Sequence, residues 1–278
     1  MKVFHSFTSK ILAIMLILLL FFCAVNTFAW YRSFTREAIE TAQTHLDSLI
    51  ETLNETFDEN LREIDYTTAF ISNKVHSSQN NCIVQFLTAQ EANVRFLSFQ
   101  QARNYLFNRC NFKAYLSGIS IYGFDGRVCT YGITTPYDEV SQTEWFSQIQ
   151  SGKEDVIYLA PHAYTSKRPS PHSSYVFSIV RPVFNNGTII GVIKADVKSS
   201  LLETIFDIQE MQGYVLYVFD QDTGEAIYVP KKSDNLILDH FQASIPHGHG
   251  SYIDKIGDVD CLVVYTTSRT SPWQIVGV

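Results

Sequence analysis

Glycine and proline are missing from the first 117 residues, since all 13 glycines and all 8 prolines lie at residue 118 or later. These residue types are the usual interruptions of helices, so their absence argues for helix throughout this region. Apolar residues recur in it in steps of three and four, the spacing of one helix face. The stripe consists of Ile39, Ala42, Leu46, Leu49, Leu53, Phe57, Leu61, Ile64, Thr68, Ile71 and Val75. The pattern predicts one long amphipathic helix, with a coiled coil as the alternative.

Cysteine and positive charge are also scarce. Five cysteines without a CxxC pair exclude a disulfide-rich scaffold, and a net charge of -7 argues against a nucleic-acid partner. A bridge between Cys82 and Cys110 and free buried thiols remain alternative states. The sequence contains no GxSxG, HExxH or P-loop motif. We therefore expect no catalysis and no cofactor in this chain.

Polar residues are absent from Ile11 to Val25, and the apolar run continues with few exceptions to residue 31. A run of this length is sufficient to cross a bilayer as a helix. We predict a membrane anchor over residues 11–31, a cytoplasmic segment over residues 1–10, and a sensor region outside the cell. This arrangement implies a location in the cell membrane. A cleaved signal peptide is the alternative, with Thr27 and Ala29 as the small residues before the cut.

From Gly118 onward the composition becomes that of strands and turns. The clearest unit is the stretch from Tyr175 to Phe206, in which Asn186-Gly187 separates two β-branched runs. That dipeptide is typical of a type I′ hairpin turn. Alternation in the second strand places apolar residues on one face, whereas the other face ends in Lys194 and Asp196. A short helix with an N-cap at Ser199 is predicted to follow.

The remaining elements are predicted from periodicity and turn residues. They are a helix over residues 90–109, a hairpin over 118–130, a short helix over 143–149, a strand over 155–160, a second hairpin within 213–230, and two or three strands within 251–278.

The order of long helix, sheet, crossover helix and smaller sheet, with RPV and GVIKADV in the hairpin, resembles double Cache domains. These are PAS-like extracytoplasmic sensor domains of bacterial receptors. The resemblance covers residues 31–278 and implies an α+β fold with two tandem PAS-like antiparallel-sheet modules. It places the membrane-to-sensor helix at residues 32–80, a membrane-distal module at 81–206, and a membrane-proximal module at 207–278.

The resemblance also implies a function. Double Cache domains bind small ligands outside the cell and pass a conformational signal across the membrane. This chain looks most like the sensor region of Gram-positive histidine kinases, so the expected output is a kinase that is not part of the chain. A chemoreceptor or a diguanylate cyclase is the alternative output. A membrane-anchored stalk or interaction protein without a ligand is the alternative to sensing.

Three residues match the ligand-binding signature of the family's amino-acid-binding members. Trp145 and Phe146 match an aromatic pair on the short helix, and Asp196 matches an acidic residue at the end of the hairpin strand. The arginine that precedes the aromatic pair in the family is replaced here by Thr143. A free α-carboxylate therefore loses its natural bidentate partner. The expected ligand is a small polar or amine metabolite, whose ammonium group would be held by Asp196.

Four further residues are candidate ligand contacts: Tyr137, His162, Tyr164 and Arg181. Alternative roles remain open for several candidates, because Asp196 could cap the helix at Ser199, Trp145 could be a core residue, and Arg181 could brace a loop. No metal site is expected, although His247 and His249 flank a glycine. The expected partners are the ligand, the membrane and, as an open alternative, a second copy of the chain.

Overall fold

The computed structural model describes residues 7–73, 81–110, 113–163, 175–207, 214–231, 235–243 and 247–278. Its helices are α1 (Phe7–Asn73), α2 (Asn81–Thr88), α3 (Ala92–Cys110), α4 (Tyr137–Val140), α5 (Glu144–Gln150), α6 (Ser200–Phe206) and α7 (Asn235–Ala243). Its strands are β1 (Leu116–Gly123), β2 (Val128–Gly132), β3 (Ile157–Ala163), β4 (Tyr175–Asn185), β5 (Thr188–Lys198), β6 (Leu216–Asp220), β7 (Ala226–Tyr228), β8 (His249–Ile256), β9 (Val259–Thr267) and β10 (Trp273–Gly277). The strands form two antiparallel sheets, which confirms the predicted α+β class.

The long helix α1 contains the predicted apolar stripe from Ile39 to Ile71, and Val75, its last predicted member, lies outside the described residues. The chain divides into two compact units, Met1–Leu49 and Ile50–Val278. In the second unit Phe57, Leu61 and Ile64 are fully buried, because this part of α1 covers the sheets. The interpretation of the stripe as an amphipathic helix is confirmed.

The first unit contains an apolar segment of α1. Among the described residues one helix is long and apolar enough to cross a membrane, with a mean hydropathy of 2.7 in its best window and no buried residue there. Leu12, Phe21 and Trp30 are all more than half exposed. A contiguous exposed apolar surface of this kind marks a site of contact with a membrane or another protein, and it fits a membrane-anchored protein.

We expect the full-length chain to remain in the membrane fraction after alkaline extraction, because residues 11–31 supply a span without charge. Protease added to intact cells should digest the region beyond this span. A variant with Leu16→Arg and Leu19→Arg is the control that should lose membrane retention, since central charges oppose insertion. Recovery of a shortened wild-type protein from the medium would instead identify a cleaved signal peptide.

The first sheet has the strand order β2-β1-β5-β4-β3. Its central hairpin joins β4 to β5 through Asn186 at φ 49° and Gly187 at φ 79°. Both residues occupy the left-handed region, as a type I′ turn requires. The pairing register sets Ser178 opposite Asp196 and Val180 opposite Lys194. The predicted hairpin is therefore confirmed, and β5 occupies the middle of the sheet.

The two faces of this sheet have different neighbours. On one face Arg181 of β4 forms an ion pair with Asp65 of α1, and the Tyr158 hydroxyl donates a hydrogen bond to the same carboxylate at 3.4 Å. Ser72 of α1 donates to the carbonyl oxygen of Pro182. The other face carries Lys194 and Asp196. Alternation along β4 and β5 thus directs one set of side chains toward α1 and the other set away from it.

The second sheet has the order β7-β6-β10-β9-β8, so β10 lies between two hairpins. Trp273 of β10 is fully buried, and its ring contacts aromatic rings from three other elements. The centroid distances are 5.9 Å to Phe57 of α1, 5.3 Å to Phe177 of β4 and 6.1 Å to Tyr158 of β3. Trp273 therefore joins α1 and both sheets.

Three short helices were not predicted from the sequence. Helix α2 precedes the predicted helix α3, α4 precedes the predicted short helix α5, and α7 lies between the predicted hairpin and the last strands. No disulfide bond joins the cysteines of the described residues, and Cys82, Cys110 and Cys129 are buried. Burial raises the pKa of the Cys110 thiol to about 11 and that of the Cys129 thiol to about 12. The alternative of free buried thiols is the one found.

Candidate functional site

A cavity of about 450 Å³ lies between the first sheet and the short helices α4 and α5. This volume is within the range of small-molecule sites, about 300–1,000 Å³. The walls come from α4, α5, β3, β5 and the segment that precedes α4. The lining residues are Thr135, Glu139, Val140, Thr143, Trp145, Leu159, Ala160, His162, Ala163 and Lys194.

A buried ion pair lies beside the cavity. Lys194 and Asp196 are on the same face of β5, with 3 % and 0 % of their side chains exposed. The Lys194 ammonium donates a hydrogen bond to Asp196 Oδ1, and the Ser178 hydroxyl donates to the same oxygen at 2.5 Å. A buried carboxylate of this kind needs a charged or hydrogen-bonding partner, and here it has both. Lys194 lines the cavity.

His162 lies beside this pair. Its Nδ1 is 2.8 Å from the carbonyl oxygen of Ala160, and its Nε2 is 3.4 Å from Ser178 Oγ. Because a carbonyl oxygen only accepts, Nδ1 carries the ring proton. Burial lowers the pKa of His162, and the nearby Lys194 ammonium lowers it further. The ring is therefore neutral at pH 7 and presents Nε2 as an acceptor.

Hydrogen bonds between hydroxyl groups hold the segment before α4 in place. Ser120 Oγ and Thr134 Oγ1 are 2.7 Å apart, and the Tyr122 hydroxyl donates to the carbonyl oxygen of Thr135 at 2.9 Å. Burial raises the pKa of Tyr122, so its hydroxyl remains a donor. These bonds attach Thr135, a lining residue, to strand β1 of the sheet.

The short helices place aromatic side chains around the cavity. Trp145 is half-buried and lines it, whereas Phe146 is buried in the core beneath with Tyr122 and Val180. The Trp145 and Phe146 rings meet edge to face, with centroids 5.9 Å apart. Thr143, directly before α5, donates a hydrogen bond to the carbonyl oxygen of Val140 at 2.7 Å.

A Cache domain family model matches residues 31–278 of this chain. The chain belongs to the Cache domain family. A comparison with curated proteins found no match.

Solved structures share the Cache fold at low sequence identity. The ligand-binding domain of the Pseudomonas aeruginosa amino acid chemoreceptor PctC with GABA is 12% identical, with a TM-score of 0.60, and the match covers 85% of this chain and 98% of that one. The sensory domain of the Campylobacter jejuni chemoreceptor Tlp3 with isoleucine is 14% identical, with a TM-score of 0.58, and the match covers 86% of this chain and 93% of that one. The extracellular domain of the putative histidine kinase rpHK1S-Z16 is 16% identical, with a TM-score of 0.53, and the match covers 84% of this chain and 91% of that one.

The Cache domain brings only some of the predicted site residues together. Trp145 and His162 line the cavity, and Asp196 lies behind Lys194. Asp196 accepts hydrogen bonds from Ser178 and Lys194. At the start of α6 no side chain makes a capping hydrogen bond, so the predicted N-cap bond of Ser199 is not formed.

Three other candidates lie elsewhere. Phe146 is a core residue, and the Tyr137 hydroxyl donates to the carbonyl oxygen of Phe124 at 2.9 Å while its ring packs on Phe146. Arg181 is on the opposite face of the sheet, paired with Asp65. It therefore holds β4 to the helix α1, whereas the alternative considered from the sequence was a brace for a loop. Tyr164 lies outside the described residues.

Lys194, Ser178 and Glu139 contribute to the site but were not among the sequence-based candidates. The signal for Lys194 was present, because a lysine in the middle of an apolar strand, two residues from an aspartate, shares a face with it. Ser178 gave no signal before the strand register was known. Within the described residues no group of three or more His, Cys, Asp or Glu side chains could hold a metal, and His240 instead bonds Asp254 at 2.9 Å.

Proposed function

We propose that this chain is the extracytoplasmic sensor region of a membrane-anchored receptor and that a small polar metabolite binds in the 450 Å³ cavity. The observation that carries the proposal is the buried Lys194–Asp196 pair at the edge of a mainly apolar cavity. A few placed polar groups in an apolar concave site are typical of small-molecule recognition. The ligands named for the neighbouring structures, GABA and isoleucine, are also small polar metabolites.

The same sheet offers a route for the signal. Lys194 and Ser178 face the cavity side, whereas Arg181 and Tyr158 contact Asp65 of α1 on the other side. A ligand that shifts β4 and β5 would change the balance between two packings of the sheet on α1. Because α1 also contains the candidate membrane span, we infer that this helix carries the change to the membrane.

The division into modules and the output are part of the proposal. Residues 81–206 would form the ligand-binding, membrane-distal module, and residues 207–278 the membrane-proximal module. The expected output is a histidine kinase, as for the similar extracellular domain of rpHK1S-Z16, and a chemoreceptor is the alternative. A second copy of the chain is a further proposed partner.

A thermal-shift screen of small metabolites on the full-length chain in detergent tests ligand binding. We expect at least one metabolite to raise the melting temperature of the wild type, because ligand that binds only the folded state stabilises it. Trp145→Ala should abolish this rise, since it removes a wall of the cavity. The matched control is Phe96→Ala, an exposed aromatic residue on α3, which should retain the response.

Two results would contradict this site. A rise that persists in Trp145→Ala would direct the search to a second cavity of about 400 Å³, next to α1 and β9, lined by Asn54, Asp58 and Arg269 among others. The absence of any stabilising metabolite would favour the stalk alternative.

A further inference from the structure

The Asp196 carboxylate already has an ammonium group beside it. Lys194 Nζ bonds Asp196 Oδ1, and Ser178 donates to the same oxygen. A ligand ammonium at Asp196 Oδ1 would have to displace the Lys194 ammonium, whose side chain is only 3% exposed. The displaced lysine would then be a buried charge without a counter-ion, which is strongly unfavourable. The site therefore disfavours an amine at Asp196, contrary to the expectation from sequence.

Lys194 instead has hydrogen-bonding capacity left for a ligand. An ammonium group has three N–H donors, and among the described residues Asp196 is its one hydrogen-bond acceptor. Lys194 also lines the cavity. The ligand atom that meets Lys194 must therefore be an acceptor, and a carboxylate gives the strongest, charge-assisted bond.

The other residues that line the cavity limit the chemical class of the ligand further. Glu139 is a half-buried carboxylate on the cavity wall, and it opposes a second negative charge on the ligand. His162 is neutral and does not supply a second cation. Val140, Trp145 and Leu159 provide apolar surface for the body of the ligand.

We propose that the cavity takes a small monocarboxylate, whose carboxylate accepts hydrogen bonds from Lys194 and whose apolar body packs on Trp145 and Leu159. This inference rests on the proposed function and assigns the ligand class of the same site. Lys194 would take the place of the arginine that Thr143 replaces, from strand β5 rather than from the short helix.

Matched carboxylate and amine probes test the ligand class on the full-length wild-type chain in detergent. The pairs are butyrate with butylamine, isovalerate with isoamylamine, and benzoate with benzylamine, at pH 7.5 and constant ionic strength with chloride as the reference anion. We expect at least one carboxylate to raise the melting temperature, and none of the amines to do so. γ-Aminobutyrate should bind more weakly than butyrate, because its ammonium finds Asp196 occupied.

Variants test the role of Lys194 by titration calorimetry. Lys194→Met should weaken carboxylate binding at least about tenfold, the loss of one charge-assisted bond. Lys153→Met removes an exposed lysine outside the cavity lining and should bind as the wild type does. If Lys194→Met does not fold, the double variant Lys194→Met with Asp196→Asn removes both charges together and serves the same purpose.

The outcomes separate this inference from the proposed function. Amines that stabilise the wild type but not Trp145→Ala would overturn the monocarboxylate class and leave the sensor site intact. Carboxylates that bind Lys194→Met as tightly as the wild type would also overturn it. If neither the carboxylates nor the amines raise the melting temperature, the monocarboxylate class is overturned. The broader metabolite screen then decides separately whether the cavity binds a ligand. No response in that screen would overturn both.

Discussion

Replacing Trp273 by alanine is expected to lower the free energy of unfolding by about 3–5 kcal/mol, the usual cost of deleting a fully buried large aromatic side chain. Trp273 is fully buried, and its ring contacts Phe57 of α1, Phe177 of the first sheet and Tyr158 of β3. The substitution would leave a cavity where three elements meet. It should therefore loosen the contact between the two sheets as well as the local packing.

Chemical denaturation of the full-length chain in detergent, followed by circular dichroism, measures this loss. Tyr66→Ala is the control, since Tyr66 is an aromatic residue of the same helix as Phe57 but is 70% exposed. Its effect should stay within about 0.5 kcal/mol. Equal effects of the two substitutions would show that Trp273 does not join the elements as described.

Asp196→Ala is expected to destabilise the chain by a similar amount, about 3–5 kcal/mol, because it leaves the buried Lys194 ammonium without its counter-ion. The Ser178 hydroxyl also loses its acceptor. Adding Lys194→Met to Asp196→Ala should recover part of the stability, since the unpaired charge is then removed. The two substitutions should thus be clearly non-additive, as expected for residues in direct contact.

The same denaturation experiment supplies the comparison. Glu203→Ala breaks an exposed pair with Lys231, whose nitrogen and oxygen atoms are 3.7 Å apart, and should leave the transition unchanged. If Asp196→Ala behaves like Glu203→Ala, or if the double variant is less stable than both single variants, the buried pair is not a coupled unit.

Much of the fold could be predicted because local signals determine it. The absence of glycine and proline and the apolar stripe predicted α1, and Asn186-Gly187 predicted the central hairpin, whose backbone angles agree. The strand order of the second sheet could not be predicted, because the local propensity of a segment does not determine which distant strand it pairs with. Helix α7 has only nine residues, and so short a helix depends on tertiary packing more than on sequence pattern.

The site was harder to predict than the fold. Alternation placed Lys194 and Asp196 on one face, but not the distance between the two charged groups, which depends on the lysine rotamer. The sequence-based argument considered Asp196 without the Lys194 ammonium beside it and expected a small polar or amine metabolite there. Arg181 was a reasonable candidate until the register set it on the face that meets Asp65. Strand partners decide such assignments, and a single sequence does not contain them.

The central position of β10 has a consequence for synthesis. β10 is the last of the described strands in chain order, yet it separates the hairpin β6–β7 from the hairpin β8–β9. Until Trp273 to Gly277 leave the ribosome, β6 and β9 each lack a neighbour along one edge. Because synthesis proceeds at about 5–20 residues per second, the hairpin β6–β7 waits for β10 for seconds. Unpaired strand edges can pair with other chains, so the second sheet is exposed to such association until β10 is made.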